Sequence, residues 1–289
     1  MTRRARRSRV VVCGPATWNH LIQLDRLPEP VPHMQFAQRA WHTVGGTSAG
    51  KALHLSALRV ETMLHASIGG DDDGARLRAA LDASGLAVEA VPSDRTERHV
   101  NLMTAAGERV SLYVATPSPP PAAAIDAAAR DLRVAEIGVV DLGELGAALL
   151  DRAGGTPLWI DLHDYDGSSA YHEPFVRAAD VVFLNDDRTT EPWALMRSCL
   201  DRGPRLAVCT RGAAGAIALT AAGERFEIAA VPADVVDTNG AGDAFLAGFL
   251  AARLAGAPVD ACLGAAAAQA RVAIESRHLH PLLDAVLGR

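Results

Sequence analysis

Asp237-Thr238-Asn239-Gly240-Ala241-Gly242-Asp243 runs directly into the nearly uncharged stretch Ala244 to Ala252. An acid, two glycines and a second acid thus precede small apolar residues that predict a buried helix. A helix N-terminus leaves backbone N–H groups without intrahelical partners and carries a partial positive charge, so glycines there let an anion approach bare backbone. The pattern predicts a phosphate site at Gly240, Ala241 and Gly242. A carboxylate at Asp243 falls where a hydroxyl attacking that phosphorus has to lose its proton. Phosphoryl transfer to an alcohol is the chemistry expected, with Asp243 as general base. The structural alternative is a tightly packed helix start with Asp243 as a solvated first-turn acid.

Upstream, short β-branched runs alternate with Ala/Leu-rich segments. Arg9 to Cys13, Met63 to Ser67, Ile137 to Asp141, Leu158 to Asp161, Val181 to Leu184 and Leu206 to Cys209 read as buried strands, several of them wholly apolar. Helices are expected at about Ser48 to Leu58, Gly74 to Ser84, Ala122 to Leu132, Glu144 to Arg152, Pro174 to Ala179 and Pro192 to Leu200. Beyond the opening stretch, Asp260 to Ile274 and Pro281 to Leu287 add two more. Such alternation predicts an α/β fold, a three-layer αβα domain with a mainly parallel central sheet. Two regions break it: Leu21 to Val44, with three prolines, and His99 to Val114. In the second, Ala106-Gly107 separates two strand-like runs as in a hairpin. The 289 residues read as a single domain, 1–289, with a β insert at approximately 17–44 and 97–115.

Through Asp-Thr-x-Gly-Ala-Gly-Asp and the small-residue helix after it, Asp237 to Leu250 resembles the C-terminal signature of the ribokinase-like, or PfkB-type, carbohydrate kinases. The rest of the chain follows that family's order from about Val10 to the last helix. The resemblance implies an ATP-dependent kinase that transfers the γ-phosphoryl group to a hydroxyl of a sugar or sugar-like molecule, with Mg²⁺ as cofactor. It implies that the β insert is a lid over the sugar, excluding the water that competes with the alcohol. Asp237 is the implied site of a monovalent cation such as K⁺. Thr210-Arg211-Gly212-Ala213-Ala214-Gly215 resembles the family's nucleotide loop, which puts Thr210, Arg211, Gly212 and Gly215 at the ATP phosphates. A plain β-turn is the alternative there.

The chain departs from the family at three places. Gly45-Gly46-Thr47-Ser48-Ala49-Gly50-Lys51-Ala52 fits a P-loop except at Ala52, which lacks the hydroxyl that Mg²⁺ needs. In the family a Gly-Gly turn here binds substrate hydroxyls and an asparagine usually stands at Gly50, so Gly45, Gly46, Gly50 and Lys51 are substrate candidates, with Lys51 compensating for the missing amide. Asn19 stands where many relatives have an aspartate, keeping an acceptor but losing charge. Asn185 begins the family's Asn-x-x-Glu, but Arg188 replaces the glutamate, leaving Asp186 or Asp187 to help with Mg²⁺. His99, Asn101 and Asp141 are further pocket candidates. Asp161 to Asp166 reads as a polar loop beside the nucleotide cleft, Asp71 to Asp73 as helix capping, and Ala265 to Ala268 as close helix packing.

A net charge of −6 with a pI near 5.9 removes the attraction to nucleic acid that a basic surface supplies. No run approaches the roughly 20 apolar residues that cross a bilayer, and the arginines from Arg3 to Arg9 read as a solvated tail. Cys13, Cys199, Cys209 and Cys262 have no paired spacing, which suits a cytoplasmic protein with free thiols. Lys51 is the only lysine, which draws attention to it because arginine does not reproduce a compact ammonium. The partner expected is a small sugar or nucleoside, with no nucleic acid and no membrane; exposed lid strands could pair two chains as a homodimer. The rival functions are a nucleoside kinase of the same fold, a catalytically weakened sugar- or nucleotide-binding regulator, and a P-loop NTPase in which Lys51 dominates.

Overall fold

The computed structural model describes residues 9–105 and 107–288. The expected tail from Arg3 to Ser8 and the first residue of the hairpin turn, Ala106, lie outside the described residues. Arg9 is anchored: its guanidinium meets Glu136 at 2.9 Å.

The first third of the chain forms β1 (Val10–Cys13), β2 (Thr17–Leu24), β3 (Arg39–Gly45), α1 (Thr47–Ala57), β4 (Thr62–Gly69), α2 (Asp72–Ala83) and β5 (Ala87–Ser93). Next come β6 (Arg98–Thr104), β7 (Arg109–Ala115), α3 (Ala122–Leu132), β8 (Ile137–Val140), α4 (Glu144–Leu149) and β9 (Leu158–Asp161). The last part holds α5 (Glu173–Ala178), β10 (Val181–Asn185), α6 (Pro192–Leu200), β11 (Leu206–Thr210), β12 (Ala216–Thr220), β13 (Arg225–Ile228), α7 (Ala241–Leu254), α8 (Val259–Ile274) and α9 (Asp284–Leu287).

Nine strands make the large sheet in the order β13-β12-β11-β10-β9-β8-β1-β4-β5. Neighbours from β11 to β5 are parallel, and β12 and β13 close one side antiparallel. Alternation along each strand feeds two cores, one on either face. In β1, Val10 and Val12 join Leu53, Leu77, Phe249 and Leu263 on the side of α1, α2, α7 and α8. Val11 and Cys13 join Leu132, Leu145, Phe175 and Met196 on the side of α3 to α6. The three-layer architecture read from the sequence is the one observed.

A four-stranded sheet, β3-β2-β6-β7, forms the lid. The expected hairpin is its β6–β7 pair, antiparallel, while β2 and β6 run parallel. Asn19, Leu21, Thr43 and Asn101 face the cleft and are buried; Val110, Leu112 and Val114 on β7 are exposed.

Strands β5 and β13 lay beyond the sequence reading. Both are edge strands with alternating, half-exposed residues, and Pro92 in β5 is a residue that only an edge tolerates. The acidic run at Asp71 is a cap, as expected: Asp71 accepts from the Gly74 amide at 2.8 Å and from the Thr96 amide and hydroxyl at 3.0 and 2.6 Å. Those bonds outweigh the burial that would raise it and hold its carboxyl below the usual range. The alanines of α8 serve packing, because a Cβ on Gly248 of α7 would come within 2.8 Å of the Ala265 carbonyl oxygen.

Candidate active site

A cleft of about 1610 Å³ separates the lid from the carboxyl ends of the central strands. Strand ends are where α/β sheets place ligands, because successive loops splay apart there. Asn19 and Asn101 line it from the lid, Asp161, Asn185 and Thr210 from strand ends, and Gly240 to Asp243 from the start of α7.

Gly240 has φ +77°, a left-handed conformation that glycine adopts without strain, and it turns the chain into α7. No side chain caps this turn, and a Cβ on Gly242 would meet no atom within 4 Å. The Ala241 amide reaches back to the Thr238 carbonyl at 3.4 Å, and those of Gly242 and Asp243 have no partner among the described residues, the arrangement that binds an anion. Asp237, 6% exposed, accepts from the amide and side chain of Asn239, both at 2.8 Å. Burial pushes its carboxyl above the usual range against those two bonds.

Asp243 sits in the wall of the cleft beneath the lid. Its Oδ1 accepts a hydrogen bond from the Thr47 hydroxyl and pairs with the Lys51 ammonium at 3.0 Å. Lys51 also meets Asp141 at 2.8 Å and Asp161 at 3.1 Å, and donates to Thr47 Oγ1. Ser48 donates to the other oxygen of Asp141 at 2.6 Å. Burial alone would lower the lysine, but Asp141, Asp161 and Asp243 outweigh it and hold its pKa above the ordinary value. Burial raises Asp243, with Lys51 and Thr47 opposing and Asp161 and Asp141 adding to the rise. Burial works the same way on Asp161, yet His163 and Lys51 prevail and keep it low.

Of the expected substrate residues, Asn19, Gly46, Asn101 and Asp243 line the cleft. Asn101 is 4% exposed and its Oδ1 has no hydrogen-bond partner among the described residues, an acceptor awaiting a donor. Gly45 lies behind Asn19, whose amide nitrogen would be 2.1 Å from a Cβ there. Lys51, expected to reach substrate, is fully buried under the cleft and bound to the three aspartates. It cannot also reach ATP phosphates, so the P-loop alternative fails on geometry. The asparagine that the resemblance leads one to expect at position 50 has no room: a Cβ on Gly50 would stand 2.8 Å from Asp243 Oδ2.

On the nucleotide side, Asn185, Thr210, Gly212 and Gly215 line the cleft. Gly215 has φ +88°, and a Cβ there would fall 1.9 Å from the Ile228 carbonyl oxygen. Arg211 turns towards Asp186, 3.8 Å away, and Arg188 towards Asp164, 3.6 Å away. Asp186 and Asp187 remain on the cleft wall as oxygen donors.

Sequence reading missed Thr47, which bridges Lys51 and Asp243, and the roles of Asp141 and Asp161 as partners of Lys51. Their position at the carboxyl ends of the adjacent strands β8 and β9 was the available signal. It also missed Arg109, a lid residue whose guanidinium donates to the Asn239 side chain. An arginine on an exposed strand carries no signal of that kind.

Bare helix-start amides, a carboxylate beside them and a lid above define a phosphotransferase of the ribokinase fold acting on an alcohol. Comparison with known proteins agrees. Residues 172–284 match the family described as pfkB family carbohydrate kinase. The acarbose 7(IV)-phosphotransferase of Actinoplanes sp. is 35% identical over 266 residues, covering 88% of each chain. A nucleoside kinase of Methanothermobacter thermautotrophicus is 28% identical, covering 92% of this chain and 89% of its own. Among solved structures, a microbiome-derived acarbose kinase superposes with TM-score 0.82 at 27% identity, covering 98% of this chain and all of that one. Arabidopsis thaliana ribokinase, solved with ribose and ATP, gives TM-score 0.78 over 95% of each chain; at 21% identity this likeness concerns the fold. The chain belongs to the PfkB family of carbohydrate kinases.

Proposed function

We propose that the chain transfers the γ-phosphoryl group of ATP to a hydroxyl of a multi-ring glycoside of the acarbose type, with Asp243 as general base. The observation that carries the chemistry is Asp243 in one cleft with the amides of Gly240 and Gly242, which have no partner among the described residues. At about 1610 Å³, against the roughly 300–1,000 Å³ of a one-ligand pocket, the cleft has room for ATP and an acceptor together. Two relatives named for acarbose support the acceptor class.

The acceptor lies under the lid, with Asn19 and the unpartnered Asn101 Oδ1 taking its hydroxyls. As the attacking oxygen bonds to the γ-phosphorus, its proton passes to Asp243, the bond from phosphorus to the β,γ-bridging oxygen breaks, and ADP leaves. Gly240, Ala241 and Gly242 hold the transferring oxygens through their backbone. Thr210, Gly212 and Gly215 cradle the nucleotide phosphates, with Arg211 steadying Asp186. Mg²⁺ would neutralise charge on the phosphates, and the oxygen donors Asn185, Asp186 and Asp187 suit a hard cation that keeps several waters. Asp237, a buried carboxylate near the same turn, suits K⁺.

The free, buried state of Cys13, Cys199, Cys209 and Cys262 supports a cytoplasmic setting. No helix among the described residues is long and apolar enough to cross a membrane. The exposed edge strand β7 supports a homodimer formed through the lid.

The test is ADP release with acarbose, malto-oligosaccharides, ribose, fructose, adenosine, cytidine and inosine. We expect acarbose or an oligosaccharide to show the highest kcat/KM, and Asp243→Asn to lower its turnover about 10²- to 10⁴-fold. Preference for a nucleoside would transfer the assignment to the reading that the archaeal nucleoside kinase supports. Turnover of Asp243→Asn within threefold of wild type would remove the general base.

A further inference from the structure

The only lysine of the chain is fully buried, and its ammonium meets three carboxylates at 2.8, 3.1 and 3.0 Å. Carboxylates gathered in a low-dielectric pocket oppose one another's ionisation, and an adjacent cation permits it. Asp141, Asp161 and His163 hold ligand atoms within 4.8 Å of one another, a spacing a metal ion can span. The Lys51 ammonium already lies against both aspartates, so the cation of this cluster is the protein's own.

The groups facing Asp243 come from three elements. Lys51 and Thr47 stand on α1, Asp141 follows β8, and Asp161 ends β9 with His163 3.7 Å beyond it. Among the described residues, the hydrogen bond and ion pair to Asp243 both fall on Oδ1. Its Oδ2 lies over Gly50, the residue with no side chain to obstruct it. Gly50 and Lys51 thus act as a pair: the first makes room for the carboxylate and the second fixes its orientation.

We propose that Lys51 is a positioning residue for phosphoryl transfer: bridging Asp141, Asp161 and Asp243 beneath the cleft, its ammonium keeps Asp243 ionised and fixes its carboxylate in the cleft wall. The inference rests on Asp243 being the general base. Burial, Asp161 and Asp141 raise the basicity of Asp243, and Lys51 restrains that rise. When Asp243 takes the proton it becomes neutral, while Lys51 keeps its three protons and its pairs with Asp141 and Asp161. No buried charge has to move during the step.

The test follows the ionisation of Asp243 both directly and kinetically. Protein carrying ¹³C-labelled aspartate carboxyls is titrated by NMR, with Asp243 assigned through Asp243→Asn, and kcat/KM for the best acceptor is measured from pH 5 to 10. Lys51→Met should raise both the Asp243 titration and the acid limb of kcat/KM by about 1–3 units, with KM for ATP changing less than threefold. Its loss of activity should therefore be at least tenfold greater at pH 6 than at pH 9. Should Lys51→Met fail to fold, Asp141→Asn and Lys51→Met/Asp141→Asn, which carry fewer buried charges, give the same comparison and the same expected shift. A pH-independent loss, or a titration that stays in place in either comparison, overturns the role of Lys51. Near-wild-type turnover of Asp243→Asn would instead overturn the base assignment, and a Lys51-dependent titration would survive it.

Discussion

Gly50→Ala isolates the packing that holds Asp243. The new methyl would stand 2.8 Å from Asp243 Oδ2, 3.0 Å from its Cβ and 3.2 Å from its Cγ, whereas ordinary contact begins at 3.4 Å. Something has to yield by about half an ångström. Helix α1 is buried from Ser48 to Leu55 and α7 from Ala244 to Leu250, and Gly248 presses α7 against α8, so the helices cannot part. The Asp243 side chain turns instead, straining its links to Lys51 and Thr47. Alanine would gain about 1 kcal/mol of helix propensity over glycine, but overpacking a core typically costs about 1–3 kcal/mol. The clash wins or draws on stability, so Tm should fall by no more than about 8 °C. Activity suffers more, because misplacing a catalytic group by about 1 Å costs on the order of 10²-fold. We expect kcat to fall about 10- to 100-fold with KM for ATP unchanged, since Thr210 to Gly215 lie apart from this contact. Initial rates of ADP release together with a thermal melt check both arms. A kcat within threefold of wild type would show that the position of Asp243 over Gly50 has no bearing on turnover.

Gly215→Ala should strike the nucleotide instead, because it combines φ +88° with a Cβ 1.9 Å from the Ile228 carbonyl oxygen; KM for ATP should rise at least tenfold and Tm should fall, and an unchanged ATP titration would refute the placement of the loop. Asn101→Leu removes an acceptor that has no protein partner, so KM for the glycoside should rise about tenfold, the worth of one hydrogen bond, with folding unaffected by urea titration. His54 bonds the Leu279 carbonyl through Nε2 and Gln269 through Nδ1, and burial pushes it down to about 3. A folded pKa below the unfolded one stabilises the protein fully above about pH 6.5, and that contribution fades as pH falls towards 3. Its titration should cost about 1.4 kcal/mol per pH unit in that window, and urea unfolding of His54→Gln should show a correspondingly shallower pH dependence than wild type.

The signature could be read from the sequence because its chemistry is contiguous. Seven residues from Asp237 to Asp243 contain the proposed anion-binding turn and the proposed base, and the helix that follows is apolar on most of its surface. The central strands were legible because burial on both faces leaves Val, Ile and Leu little competition, and the lid because a hairpin turn separates two strands lacking helical periodicity. Edge strands β5 and β13 escaped because half-exposed residues blur the pattern. The role of Lys51 was illegible for a different reason: its partners lie at positions 141, 161 and 243, brought together only by the parallel order of β8 and β9 and by α7 crossing α1. No local spacing encodes such a meeting, so a lysine in a glycine-rich stretch read as a substrate contact.

The departure at Gly50 and the lysine next to it form one arrangement. A side chain at position 50 collides with Asp243, and a neutral side chain at 51 leaves three carboxylates facing one another. Stability gives no reason to keep such a cluster. Desolvating each ion costs several kcal/mol, and replacing buried ion pairs by well-packed apolar residues is often neutral or stabilising by about 1–4 kcal/mol. A site drifting away from catalysis into a ligand-binding regulator would be free to take that replacement. Here Lys51, the Thr47 hydroxyl and a glycine with no room to spare meet one carboxylate that borders the cleft, while Asp141, held by Ser48, and Asp161 fix Lys51 from the other side. An arrangement that does little for folding, yet fixes the position of the carboxylate proposed to accept the proton, is accounted for by a working phosphotransferase.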